Sequence, residues 1–180
     1  MNQEIKTDEG LVVIGIDPSS VRSGWCLISS KGVKWGSCKM AEIASVDFTP
    51  FVNEGDVVVL IIEKPARMYR GSNHVVRSVG NAWLDHVKRM FPRRVKHLDG
   101  HPFIDPEEWR RHLLVGAPGN DWKGKALWYM KSLLAHPSES LLACHDEAEA
   151  FCLAVHAKIH WELVSRIPKI GVRKRPRQAR

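Results

Sequence analysis

The apolar positions along this chain run in strand-like stretches up to residue 63 and mainly at helical spacing after residue 72. Residues 11–17 (LVVIGID) and 56–63 (DVVVLIIE) are unbroken aliphatic runs, each closing on an acid. That is the pattern of central strands buried on both faces. Between them, Asp17-Pro18-Ser19-Ser20 is turn chemistry, 24–30 (GWCLISS) reads as a second strand, and Lys31-Gly32 turns into a third at 33–40. Three strands in succession predict an antiparallel meander. From residue 72 the spacing lengthens. Val75, Val79, Trp83 and Val87 recur every four residues and predict a helix over 72–90 that Ser72 can cap. A short fifth strand is predicted at 94–98. Residues 106–114 open with Pro106 and two acids, a helix start, and 116–124 is a Gly/Pro/Asn loop. Helices follow at 125–136, stopping at Pro137, and at 145–164. The order predicts an α/β layered domain, a mixed five-stranded sheet flanked by helices.

Composition narrows the class. The 180 residues are 44% hydrophobic and 26% charged, the profile of one globular domain. The longest aliphatic run, Val57 to Ile62, is far short of the ~20 residues of a membrane span. The opening MNQEIKTDEG is polar and mixed in charge, so neither a signal nor a transit peptide is expected, and a cytoplasmic or nucleoid protein is. Lys plus Arg total 27 against 20 acids, a net charge of +7. Seven of those bases and no acid lie in 165–180, so the remaining residues balance and the net charge sits on one tail. A basic block is either a solubilising tail or a partner for a polyanion such as nucleic acid. The expected organisation is an extension over 1–10, a domain over 11–164 and the tail over 165–180.

Cys26, Cys38, Cys144 and Cys152 show no CxxC spacing, and Cys26 and Cys152 read as small core residues. Cys152, His156 and His160 lie at i, i+4 and i+8 on the last helix. Such a stripe can present metal ligands on one face, but without a fourth ligand in the pattern packing is the expectation.

The acids carry more information. Asp17 and Glu63 end buried strands, at the edge where open α/β sheets bind ligands. Asp146 and Glu149 in HDEAEAF share one helix face at i, i+3. Singly, a turn cap or a helix N-terminus accounts for each. Together, four carboxylates from three elements converging on one place call for a divalent cation. Hard oxygen donors select Mg²⁺ or Mn²⁺, and two such ions serve in-line phosphoryl displacement.

The segments VVIGIDPSSVRSGWCLI, VVVLIIEK, DPEEWRRHLLVGAPGNDWKGKALWYM and HDEAEAFCLAVHA resemble, in order and spacing, those of RuvC-type Holliday junction resolvases of the RNase H-like superfamily. The first segment alone also opens actin-like ATPases and sugar kinases, which need two such domains. The resemblance, over residues 11–160, implies an RNase H-like fold and a metal-dependent crossover junction endodeoxyribonuclease leaving 5′-phosphate and 3′-hydroxyl ends. It implies two Mg²⁺ ions per site, replaceable by Mn²⁺, with Asp17 between them, Glu63 on one side, and Asp146 with Glu149 on the other. A lysine near the scissile phosphate corresponds to Lys123 or Lys125, with Lys123 preferred. Three departures stand out. Ser19 replaces the usual glycine after Asp-Pro, Glu149 stands where many members have Asp, and His145 precedes Asp146 rather than joining the ligands. They suggest a bacteriophage or otherwise divergent member.

Nine bases and one acid occupy 64–96, and Arg67, Tyr69, Arg70 and Arg77, with Lys125, are the expected DNA contacts. Tyr69 either stacks on an unpaired base or packs on its neighbours. A junction with two-fold symmetry implies a homodimer, for which the face of Val75, Val79 and Trp83 is the expected interface. The alternatives are a RuvC-like nuclease for other branched DNA or structured RNA, and a non-catalytic junction-binding protein.

Overall fold

The computed structural model describes residues 10–65, 73–134 and 144–166. Strands β1 (Leu11–Asp17), β2 (Ser23–Ser29) and β3 (Gly32–Cys38) form the expected antiparallel meander. Strand β4 (Val57–Glu63) then lies parallel to β1, followed outward by β5 (Val95–Lys96), in the order β3-β2-β1-β4-β5. A sixth strand the pattern did not predict, β6 (Phe103–Ile104), pairs with the far end of β4. It is two residues long, too short to show a period of two. Among the described residues no helix is long and apolar enough to cross a membrane.

Helices cover both faces. Helix α1 (Asn73–Met90) covers one; α2 (Pro106–Leu114), α3 (Trp122–Leu133) and α4 (His145–Arg166) cover the other. Strand alternation sorts the core between them. Val12, Ile14, Ile16, Val58, Leu60 and Ile62 face α1, whereas Leu11, Val13, Val59 and Ile61 face α4. Helix α2 has the predicted bounds, with Asp105 as N-cap accepting a hydrogen bond from the Glu107 amide. Helix α3 begins three residues earlier than expected. Asp121 accepts a hydrogen bond from the Gly124 amide at 2.7 Å and caps it inside a stretch that reads as loop.

The α1 face expected to form the dimer interface is core instead. Val79, Trp83 and Val87 are fully buried against β4 and β1, and only Val75, at 48% exposure, is left outside. The sheet face needs covering, and this apolar stripe covers it. Ser72, the expected cap, lies outside the described residues, as do 167–180 of the basic tail.

Two glycines let α4 lie unusually close to the sheet. A Cβ on Gly15 would collide with the backbone of Ala150 and Ala154, and one on Gly24 with the backbone of Asp146. Buried Ala148, Ala150, Ala154 and Ala157 on the helix complete this close approach. Cys26 and Cys152 are buried in the same layer, as expected.

Candidate metal centre

Period-two alternation decides where the strand acids point. Asp17 follows Gly15 by two residues and Glu63 follows Ile61 by two, so both side chains emerge on the α4 face. The parallel register, Ile16 opposite Ile62, sets their strand ends side by side. Gly24 is paired with Asp17, and the Asp146 backbone rests on Gly24. The N-terminus of α4 is thereby held beside the end of β1. Asp17, Asp146 and Glu149 each offer a carboxylate oxygen within 4.8 Å of the others. Asp17 and Glu149 are buried, and Asp146 is half-buried.

Glu63 joins this group through an arginine. Arg110 Nη2 donates to Glu63 Oε1 at 3.2 Å and to Glu149 Oε1 at 2.9 Å, bridging the two acids. Trp109 Nε1 donates to Glu63 Oε2 at 2.8 Å. Neither Trp109 nor Arg110 was among the expected site residues, because WRR reads locally as the amphipathic start of a helix. What brings them in is the packing of α2 across the end of β4.

The electrostatics are those of crowded acids. Burial, then repulsion from Glu63, Glu149 and Asp146, raises the Asp17 carboxyl well above the usual range, with Arg110 opposing. Glu63 is pushed up to about 7 by burial, although Arg110 and the Trp109 hydrogen bond pull it down. Glu149 is raised by burial against Arg110 and Lys123. Arg110, with Lys123 acting on Glu149 alone, therefore leaves the group of four acids short of positive charge. Three oxygen donors within reach of each other, short of positive charge, fit a hard divalent cation such as Mg²⁺ or Mn²⁺.

The remaining expected residues divide. Lys123, in the first turn of α3, lies near enough to Glu149 to lower its carboxyl pKa. Lys125 instead sets its Nζ over the Trp122 ring, 4.8 Å from the centroid. Arg77 is exposed on α1. Arg67, Tyr69 and Arg70 lie outside the described residues. His145 is exposed and is not among the three grouped ligands.

No family model and no curated protein sequence matches the chain. Solved structures do. Thermus thermophilus RuvC in complex with a Holliday junction substrate superposes with a TM-score of 0.56 at 17% identity, over 85% of this chain and 96% of that one. A second structure of Thermus thermophilus RuvC gives 0.54 at 17% identity, with the same coverage. The chain has the RuvC fold. The RuvC-like arrangement is thus the RNase H-like layering expected from the sequence, with a sixth short strand added.

Proposed function

We propose that this RuvC-like chain is a structure-specific endonuclease that resolves four-way DNA junctions by metal-dependent phosphodiester hydrolysis, leaving 5′-phosphate and 3′-hydroxyl ends. The observation that carries the reading is the convergence of Asp17, Asp146 and Glu149 within 4.8 Å at the edge of the sheet, with Glu63 tied to Glu149 through Arg110. The junction as substrate is suggested by the Thermus thermophilus protein of the same fold, whose complex holds a Holliday junction.

Asp17, Asp146 and Glu149 would hold a divalent cation, Mg²⁺ with Mn²⁺ as substitute, and Glu63 would complete a second position. When bound, such ions supply charge for the phosphate oxygens and a water of lowered pKa. The chain's own residues do the rest. The anionic carboxylates, desolvated beneath α4, repel the phosphate unless that charge is countered. Arg110 already neutralises part of it, and Trp109 keeps Glu63 oriented. Lys123, whose charge acts on Glu149, is assigned to donate to a non-bridging phosphate oxygen. Arg67, Tyr69, Arg70, Arg77 and Lys125 are assigned to holding the arms, by contacts that fix register without reading sequence. Two matched nicks in a nearly two-fold junction need two sites, so the active species is a homodimer.

Separate assays of binding and cutting test this. Asp17→Asn and Asp146→Asn should each lower the cleavage rate by about 10³-fold or more while junction binding stays within a few-fold of the parent. Loss of binding in both would make the acids structural and contradict the proposal. Light scattering should return twice the chain mass; a monomer that still makes paired nicks would contradict the dimer.

A further inference from the structure

Helix α3 carries two tryptophans that the core does not take up. Trp83 and Trp109 are fully buried, whereas Trp122 and Trp128 are 40% and 44% exposed. A different side of α3 packs, where Ala126 and Met130 are buried in one layer with α4. Indoles are highly buried on average, so two exposed within seven residues of one helix call for a reason.

Their spacing with the lysines supplies one. Trp122, Lys125, Trp128 and Lys131 follow one another at intervals of three, and residues three apart on a helix are surface neighbours. They form a ridge that alternates ring and cation over about 14 Å. The first pair is in contact, with Lys125 Nζ 4.8 Å from the Trp122 centroid. Lys131 is exposed, and exposed Lys123 adds a third cation next to Trp122. Helix α3 has no acid. Asp121, the one acid between residues 116 and 134, is held at the helix start, where it accepts from the Gly124 amide.

This chemistry selects the occupant. Lysine is depleted from protein–protein interfaces, so an acid-free set of lysines fits phosphates better than a second protein. Phosphates alone need no rings. Aromatic faces between cations suit bases whose own faces are open, which a duplex denies by stacking them on one another. We propose that the ridge Trp122, Lys125, Trp128 and Lys131 is a binding path for single-stranded DNA, with bases stacked on the two indoles and the lysines along the phosphates. The two indoles are about 9 Å apart along the helix, room for a short run of nucleotides. Lys123 acts on Glu149, and the Ala126 carbonyl oxygen lies 3.9 Å from Cys152 Sγ, so α3 runs beside α4 in the same direction. The ridge thus starts next to the carboxylates and leads away from them. Capture of an unpaired strand at a branch for cutting rests on the nuclease reading; the binding itself does not.

The test uses the full-length protein in EDTA, which removes metal-dependent cutting. Binding of a labelled oligothymidylate, and of a duplex of the same length, is read by fluorescence anisotropy. Trp122→Ala and Trp128→Ala should each weaken oligothymidylate binding by about 5- to 100-fold and leave duplex binding within about 2-fold. Trp128→Phe should restore most of the loss, because stacking needs a ring and not an indole. Lys131→Gln should lower the salt slope of single-strand binding by about 0.7. Melting temperatures should match the parent, since the substituted side chains lie outside the core. Unchanged oligothymidylate affinity in both tryptophan variants, or an equal loss on duplex and single strand, would overturn the proposal. So would variants that become monomeric by light scattering while keeping their affinity, which would mark the ridge as a protein interface. The expected pattern in a protein that cuts no junction would support the ridge and contradict the nuclease reading alone.

Discussion

The two faces of the sheet are built by opposite means. On the α1 face, large side chains fill the gap. Trp83 stacks on Phe48 with centroids 6.3 Å apart, Phe48 meets Trp25 edge-on at 5.4 Å, and Val79, Val87 and Phe91 close the layer. On the α4 face, small residues remove the gap, with Gly15 and Gly24 against the helix backbone and four alanines above them. Bulk gives the first face burial, and hence stability, with latitude in position. Contact between backbones gives the second face little latitude, and there the carboxylates sit. The difference separates where the fold is stabilised from where its chemistry is positioned.

Mutations should keep the two faces apart. Trp83→Ala should lose about 3–5 kcal/mol by cavity formation, read by denaturant unfolding. Below its melting temperature the variant should keep Mg²⁺ binding within a few-fold of the parent. Gly24→Ala should do the reverse in kind. Overpacking costs about 1–3 kcal/mol, but the start of α4 must move, so Mg²⁺ affinity measured by calorimetry should collapse. If Gly24→Ala lost stability while keeping Mg²⁺ affinity, the positioning argument would fail. Trp109→Phe keeps the packing but removes one hydrogen bond from a buried carboxylate, about 1–3 kcal/mol. Its stability loss should be smallest at acid pH, where Glu63 is protonated.

The acid cluster also makes a pH prediction. Glu63 holds its proton up to about 7 in the fold, against an ordinary value of 4.5. Between those values the folded chain binds more protons than the unfolded one, so stability falls as pH rises. In EDTA the contribution is fully present below 4.5 and gone once pH has passed 7. Asp17 and Glu149, raised in the same direction, add to the slope. Saturating Mg²⁺, which binds the deprotonated acids, should flatten or reverse it. A melting temperature in EDTA that does not fall over this range would contradict the electrostatic account.

Much of this was legible in local pattern. The aliphatic runs ending at Asp17 and Glu63 mark β1 and β4, each closing on an acid; that both acids share a face follows from the parallel register of the two strands. Pro106 and the two acids after it mark α2, because helix-start chemistry is local. What could not be read depends on packing between distant elements. β6 exists because the end of β4 offers it a partner at Ile62. The stripe of Val79, Trp83 and Val87 is core because a sheet face lies beneath it, which periodicity alone does not distinguish from an interface. Arg110 enters the site because α2 crosses β4.

The proposed junction-cutting centre rests on the four acids gathered around Arg110. The direct measurement is incubation of the protein with an end-labelled immobile four-way junction and the matched linear duplex, in Mg²⁺ and in EDTA. Paired, symmetric nicks in the junction, dependent on Mg²⁺ and absent from the duplex, are predicted. Tight junction binding with no cleavage in Mg²⁺ or Mn²⁺, or equal degradation of both substrates, would contradict it.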